Sequence, residues 1–329
     1  MNNEQTPLTP DALTTILAEI QKNHCFEPAT KRGAPYSFSE LSFLMLAVTA
    51  VILRTFKNSE LHRLLRQDTG LRERIGFVRV PHRVTIGRRL CGLLPVAEAR
   101  IAELGHRFLA EMAGEQSAVS AVDGRMYEAV GPKWHARHRA EGFVPPGLRN
   151  VDTESTWSKS AYRNWIQGFR LVCQSLVFPF PVPLAAVWRP NAMNEAAIVA
   201  EGLDAGVFRT TDVLLGDATF GTPDFVKRYE RHDTGWVLSA KPIPPGKGTW
   251  KQRLYAYRRE SVELLFERIM LAVDLRRCPV KGFARAGAFV LAGVWLYQIL
   301  VWRNLRQGAH PTHVKEHIDA ARWRISTST

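Results

Sequence analysis

The chain has 329 residues, of which 46% are hydrophobic, so it can bury a substantial core, which excludes intrinsic disorder over most of its length. It carries 44 Lys and Arg against 31 Asp and Glu, a formal net charge of +13, so its surface should attract polyanions, with nucleic acid the first class of partner to consider. The four cysteines form no CxxC pair, which argues against a zinc ribbon or a disulfide scaffold and agrees with a reducing cytoplasm.

The first third of the chain, residues 1–115, is predicted to be a mostly α-helical domain. Apolar residues recur there at spacings of three and four, as in Leu41, Leu44 and Val48, which is the period of one helix face. We therefore expect packed helices rather than strands in this region.

A basic segment lies within this helical region. Residues 54–89 carry ten basic and three acidic side chains, a density above what a solvated surface requires. Inside it, VPHRVTIGRRLCGLL places a proline turn and the candidate N-cap Thr85 before a basic helix start, which resembles the second half of a helix-turn-helix. An ordinary helical hairpin with a basic face is an equally open interpretation. The candidate DNA-contacting residues of this segment are Arg83, Arg88 and Arg89.

From residue 117 the pattern changes to alternating or continuous apolar and β-branched residues, which is typical of strands. Three predicted strands contain SAVSAVDGRMYEAV, GFRLVCQSLVF and VPLAAVW. They are followed by a helix (NEAAIVAEGLDA), a buried strand (TDVLLGDATFG), a second helix (TPDFVKRYERH) and a fifth strand (TGWVLSAKP). The order βββαβαβα is that of the RNase H-like fold. The predicted fold class is therefore α/β, with a mixed five-stranded sheet flanked by helices and preceded by the helical domain.

Two long helices are predicted to complete the packed region, one from about Trp250 to Leu275 and one from about Ala284 to Leu305. A loop with the sequence IPPGKGTW precedes them and lacks the spacing of a nucleotide triphosphate site. The last 20 residues are polar, and we expect them to be loosely held. The predicted domains are 1–115 (helical, DNA-binding), 116–309 (RNase H-like, catalytic) and 310–329 (polar tail).

Two apolar stretches raise the question of a membrane role. Residues 41–53 and 286–302 hold 13 and 17 uncharged residues, whereas a membrane-spanning helix needs about 20. Both stretches are predicted to be buried core helices, and no membrane partner is expected.

Two aspartates are predicted to meet at one edge of the sheet. Asp123 lies in the first predicted strand, and Asp217 lies at the end of the fourth. These two strands are neighbours in a sheet ordered 3-2-1-4-5, so the carboxylates should stand side by side. Because adjacent carboxylates repel each other unless a cation lies between them, the pair predicts a divalent metal site.

A third carboxylate is expected from the helix that crosses this edge. Glu263 lies at the margin of the apolar stripe of the predicted helix, and Glu260 and Glu267 are its rivals one turn away on either side. Three carboxylates suit two Mg²⁺ or Mn²⁺ ions, one to activate an attacking water or 3′-hydroxyl and one to stabilise the leaving oxygen. This chemistry requires no histidine or thiolate ligand.

Several segments around these residues resemble the DDE transposases of bacterial insertion sequences, particularly the broad insertion-sequence four and five superfamily. VDGRMYEAVGPKWH resembles the first-aspartate block of the family, including its Trp134 and His135 pair. The blocks of the family around strands two and three are resembled by STWSKSAYRNWIQGFRL and WRPNAMNEA. LLGDATFGTPDF resembles the second-aspartate block.

The third block of this family resembles Y-x2-R-x3-E-x6-K. Arg259 and Glu263 fit the R-x3-E spacing, which favours Glu263 over its rivals. The tyrosine position falls on Ala256 and the lysine position falls on Met270, so the chain departs from the pattern at both ends.

The resemblance implies a transposase that binds terminal inverted repeats and target DNA as a homodimer in the bacterial cytoplasm, associated with the nucleoid. It would cleave and join DNA at Asp123, Asp217 and Glu263, while Arg259 could clamp a phosphate or form a surface salt bridge. Two alternatives stay open, a sequence-tolerant nuclease of the same fold and a DNA-binding protein derived from an inactive transposase. The residues expected to contact DNA are Arg259, Tyr257, Arg83, Arg88, Arg89, Trp134 and His135.

Overall fold

The computed structural model describes residues 11–23, 38–113, 118–160, 163–232, 235–239 and 249–326. Most of the loop predicted at residues 243–250 lies outside them. Within the described ranges, the chain begins with helices, continues into a mixed sheet and ends with helices, which is the predicted order.

In the described residues, six helices form the N-terminal part. Polar side chains cap several of them, as Asp11, Ser39 and Asp68 each accept a hydrogen bond from a backbone N–H of the first turn. Residues 42–52 of the second helix are all buried, so the prediction of a core helix here is confirmed. The helices are α1 (Ala12–Lys22), α2 (Glu40–Leu53), α3 (Asn58–Gln67), α4 (Thr69–Arg74), α5 (Arg83–Cys91) and α6 (Leu94–Ala113).

The sheet has six strands in the described residues: β1 (Val119–Glu128), β2 (Thr156–Ser160), β3 (Asn164–Leu176), β4 (Val182–Pro190), β5 (Val213–Gly216) and β6 (Trp236–Ser239). β1 pairs antiparallel with β3 and parallel with β5, and β5 pairs parallel with β6. β2 and β4 pair with successive lengths of the other edge of β3. The path β4-β3-β1-β5-β6 is the predicted order 3-2-1-4-5, so the RNase H-like fold class is confirmed, with β2 as an additional strand.

Helices cover both faces of this sheet. The short helix α7 (Ala136–Ala140) follows β1, and α8 (Glu195–Asp204) and α9 (Pro223–His232) flank β5 in the chain. α8 and α9 close a small core over one face, together with side chains such as Val122 of β1 and Leu214 of β5. The opposite face of the sheet packs into the larger core, which continues without a break into the N-terminal helices.

The centre of the larger core is helix α12 (Phe283–Arg306). Among the described residues it alone is long and apolar enough to cross a membrane, and 89% of its apolar window is buried inside the protein. It packs against α2, α6 and β4. The prediction that residues 286–302 form a buried core helix is therefore confirmed.

The helix predicted from about Trp250 to Leu275 is interrupted. It consists of α10 (Trp250–Arg258), one π-helical turn (Arg259–Glu263) and α11 (Leu264–Val273). Within the π turn the N–H of Leu264 bonds to the carbonyl of Arg259, five residues back. Such a turn holds one more residue than an α-helical turn, which changes the side chains that face the sheet.

The prediction of a loosely held tail after residue 309 is wrong. Residues Lys315–Ser326 form helix α13, which packs against α1 and α11. Val314, Ile318 and Ala321 are buried and recur at helical spacing. The many polar residues between them hide this short apolar face in the sequence. The boundaries predicted for the domains stay a prediction.

Candidate active site

The register of β1 and β5 brings Asp123 and Asp217 to the same edge of the sheet. Ala121 of β1 is the partner of Leu215 of β5, and each aspartate lies two residues further along its chain. Side chains alternate between the faces of a strand, so Asp123 shares a face with Ala121 and Asp217 shares a face with Leu215. Ala121 and Leu215 both belong to the larger core. The two carboxylates therefore project toward the same face, as predicted.

Asp123 is held by two donors. The N–H of Gly124 donates to its Oδ1 at 2.9 Å, and Nη1 of Arg258 lies 3.3 Å from its Oδ2. Burial raises the pKa of Asp123 to about 6, against the lowering effect of Arg258 and the Gly124 N–H. The charges of Glu263 and Asp217 raise this pKa further. The three predicted carboxylates are therefore close enough to influence one another electrostatically.

Asp217 follows the last residue of β5 and begins the next turn. Its side chain accepts a hydrogen bond from the N–H of Thr219 at 2.8 Å and caps the 3₁₀ turn Ala218–Gly221. The preceding residue must be small, because a Cβ at Gly216 would overlap the ring of Phe220, which is fully buried. This packing fixes the carboxylate at the end of the strand.

Of the three candidate glutamates, the structure brings Glu263 nearest to the aspartates. Its Oε1 accepts a hydrogen bond from Nη2 of Arg258 at 2.6 Å, and the same guanidinium contacts Asp123. Glu267 lines the same cleft but pairs with Arg125 at 3.1 Å. Glu260 is exposed. The geometry thus agrees with the choice of Glu263.

Arg258 is the residue of this site that the sequence analysis missed. The π turn adds one residue to the third block, between its tyrosine-arginine part and its glutamate. Tyr255 and Arg258 therefore have the Y-x2-R spacing. The R-x3-E spacing to Glu263 is instead that of the next residue, Arg259. Arg258 is buried and lies over the ring of Tyr255, at 5.9 Å from the ring centroid. Arg259, the predicted phosphate contact, is exposed and lines the cleft instead.

A second missed pair lies on the opposite wall. Glu195, in the first turn of α8, forms an ion pair with Arg170 of β3 at 2.8 Å; the side chain of Arg170 is buried and that of Glu195 is 13% exposed. Its carboxylate occupies the space that a Cβ at Gly124 would need. Burial raises the pKa of Glu195 to about 7; Arg170 lowers this pKa, and the charges of Asp123 and Asp217 raise it further. The signal in the sequence was weak, because Glu195 reads as an ordinary acidic residue at a helix start.

Asp123, Asp217, Glu263 and Glu195 line a cleft with a volume of about 1090 Å³. The acidic side chains lie beside the part of β1 that follows Ala121, which is the last β1 residue paired with β5. Basic side chains from the β2–β3 hairpin, β1 and the π turn surround them, which suits a polyanion with a metal-binding centre. The basic lining residues are Arg125, Lys159, Arg163, Arg170 and Arg259.

The described residues contain no group of three or more His, Cys, Asp or Glu side chains that is arranged to hold a metal ion. The guanidinium of Arg258 lies between Asp123 and Glu263 and forms an ion pair with each. The chemistry of the donor set nevertheless fits Mg²⁺ or Mn²⁺, because carboxylate oxygens are the ligands these ions prefer.

The other residues predicted to contact DNA differ in how far their side chains are exposed. Arg83 and Arg88 are exposed on α5, and Arg89 lies over the ring of Phe43 at 5.2 Å. Trp134 is buried, with 6% of its surface exposed, and its Nε1–H donates to the carbonyl of Phe143. The side chain of Trp134 is thus part of the packing, and its contact with DNA stays a prediction.

Two more of these residues lie outside the carboxylate cluster. Nδ1 of His135 accepts a hydrogen bond from the N–H of Arg137 and so caps α7. Tyr257 is exposed on α10 and packs edge-to-face on Phe178, with ring centroids 4.8 Å apart. Contact of either side chain with DNA stays a prediction.

No protein-family model matches the sequence, and no curated protein matches it. Among solved structures, a piggyBac transposase synaptic complex with hairpin DNA aligns with 97% of this chain and 78% of its own, at 9% identity and a TM-score of 0.44. A pre-cleavage Mos1 transpososome aligns with 86% of this chain and 84% of its own, at 11% identity and a TM-score of 0.21. A Mos1 transposase paired-end complex with the left transposon end aligns with 85% and 83%, at 13% identity and a TM-score of 0.20. Likenesses this distant do not assign an activity to the chain.

Proposed function

We propose that the protein is a DNA transposase that cleaves and joins phosphodiester bonds at Asp123, Asp217 and Glu263. The observation that supports this most strongly is the convergence of the three carboxylates. Two of them come from adjacent parallel strands, and the third comes from the helix that crosses the same edge. Residues so distant in the chain meet there at a cleft with a basic rim.

In this proposal, Asp123, Asp217 and Glu263 hold two Mg²⁺ or Mn²⁺ ions. When bound, the ions supply activation of the attacking water or 3′-hydroxyl and stabilisation of the leaving oxygen. Backbone hydrogen bonds position two of the carboxylates: the N–H of Gly124 donates to Asp123, and the N–H of Thr219 donates to Asp217. Arg259 and the β2–β3 hairpin bind the phosphates on either side of the cut.

The partners in this proposal are the terminal inverted repeats of the element and the target duplex. Exposed Arg83 and Arg88 on α5 bind the inverted repeats, and two copies of the chain bring two ends together as a homodimer. Nucleotide triphosphates are not needed, because strand transfer exchanges one phosphodiester for another. Such a protein of an insertion sequence works in the bacterial cytoplasm, at the nucleoid.

The test is a cleavage and strand-transfer assay on a duplex that carries the end of the element. We expect cutting that requires Mg²⁺ or Mn²⁺ and that falls at least 100-fold in Asp123→Asn, Asp217→Asn and Glu263→Gln. Glu260→Gln is the matched control, because this exposed glutamate lies on the same π turn. Undiminished cutting by Asp123→Asn would refute the proposal.

A second candidate function is DNA binding without catalysis, as in a protein derived from an inactive transposase. Met270 favours it, because the position of the lysine in the third block is a buried apolar side chain. Tight binding of end DNA with no metal-dependent cleavage would support this candidate. The nuclease alternative differs from both, since it would cut without preference for the ends and would not join them.

A further inference from the structure

Arg258 lies between two of the proposed metal ligands. Its Nη2 donates to Glu263 at 2.6 Å, and its Nη1 lies 3.3 Å from Oδ2 of Asp123. Only 9% of its surface is exposed. One guanidinium thus provides the positive charge that two converging carboxylates require.

Each carboxylate oxygen of Asp123 has a donor in this arrangement. Its Oδ1 accepts from the N–H of Gly124 and its Oδ2 is paired with Arg258, so both oxygens are engaged. A magnesium ion binds carboxylate oxygens at about 2.0 to 2.1 Å. A metal ion held by Asp123 and Glu263 would therefore compete with the guanidinium of Arg258 for these two carboxylates.

The π turn affects which of the two adjacent arginines, Arg258 or Arg259, faces Asp123 and Glu263. The extra residue turns Arg258 toward the sheet, while the adjacent Arg259 stays exposed. An α-helical turn at this point would change which of the two arginines faces Asp123. π turns are rare and occur often at functional sites, which agrees with a specific role for this one.

We propose that Arg258 is an internal cation that competes with divalent metal and so sets the metal affinity of the site. This inference rests on the proposed function. In the resting protein, Arg258 neutralises Asp123 and Glu263. When metal binds, the guanidinium of Arg258 would move into the cleft and donate hydrogen bonds to a phosphate of bound DNA. Metal binding and DNA binding consequently strengthen each other, because each favours the displaced position of Arg258.

The experiment measures the binding of Mn²⁺ to the full-length protein by isothermal titration calorimetry, without DNA. We expect Arg258→Gln to bind Mn²⁺ at least tenfold more tightly than the wild type. Arg259→Gln is the matched control, because it removes the same charge from the adjacent residue, which lines the cleft and forms no ion pair with Asp123 or Glu263, and we expect less than a twofold change. In an Asp123→Asn background, Arg258→Gln should give no gain.

Arg258→Lys provides a second variant if Arg258→Gln does not fold. Lysine keeps the positive charge but lacks the planar fork of donors with which the guanidinium contacts both carboxylates, so Mn²⁺ affinity should rise severalfold. Unchanged or weaker Mn²⁺ binding in a folded Arg258 variant would overturn the inference while leaving the proposed function intact. Failure of both the wild type and the Arg258 variants to bind Mn²⁺ would overturn both.

Discussion

The side chain of Glu195 lies against the backbone of Gly124, in the space that a Cβ at this position would occupy. Gly124 follows Asp123 on β1, and Glu195 begins α8 on the other side of the sheet edge. The absence of a side chain at Gly124 therefore allows a fourth carboxylate to approach the proposed active site.

Gly124→Ala should destabilise the protein by about 1 to 3 kcal/mol, because the added methyl group displaces Glu195 from its buried ion pair with Arg170. Urea denaturation measures the change. Gly147→Ala is the control, since nothing lies within 4 Å of a Cβ there, and its effect should stay within about 0.5 kcal/mol. Equal stability of the two variants would show that Glu195 is not held as described.

Stability should fall with rising pH because of Asp123. Burial raises its pKa from 3.8 to about 6, so the folded protein binds this proton more tightly than the unfolded chain does between these pH values. The stabilising contribution is complete below pH 4 and is lost as the pH rises through 6. Asp123→Asn should therefore match the wild type near pH 4 and exceed its free energy of unfolding by about 1 to 3 kcal/mol at pH 8. A variant that is less stable than the wild type at pH 8 would contradict this expectation.

The β2–β3 hairpin should contribute to phosphate binding at the cleft. Lys159→Ala and Arg163→Ala should each weaken the binding of duplex DNA, and each should reduce the slope of log affinity against log salt by roughly one. Fluorescence anisotropy over a range of salt concentrations measures both effects. Lys315→Ala on α13 removes an exposed charge elsewhere and serves as the control. An unchanged slope in both hairpin variants would exclude the hairpin from the DNA interface.

The basic residues of α5 should separate into two groups. Arg83 and Arg88 are exposed, so their replacement by alanine should weaken the binding of end DNA without lowering the melting temperature. Arg89 lies over the ring of Phe43, so Arg89→Ala should cost about 0.5 to 1 kcal/mol of stability. Thermal unfolding and binding measured on the same samples test this division. Loss of stability in Arg83→Ala would assign that residue to packing.

Much of the fold could be predicted because runs of apolar residues mark the strands. Asp123 interrupts one such run and Asp217 ends another. The additional strand β2 escaped prediction, since it is only five residues long and rich in serine and polar residues. Helix α13 escaped because its apolar face consists of a few widely spaced side chains.

The site was predicted in part, for reasons that particular residues illustrate. The proximity of Asp123 and Asp217 could be predicted because it depends on the order of the strands, and the apolar pattern indicates that order. Glu195 depends on the close approach of α8 to Gly124, a tertiary contact that no local spacing encodes. Arg258 was passed over in favour of Arg259 because regular helical spacing does not anticipate a π turn.

The most direct test of the account is anomalous diffraction from crystals of the protein bound to an end duplex and soaked with Mn²⁺. The account predicts two Mn²⁺ ions held by Asp123, Asp217 and Glu263. Ordered Mn²⁺ bound elsewhere, with these three carboxylates free of metal, would contradict it.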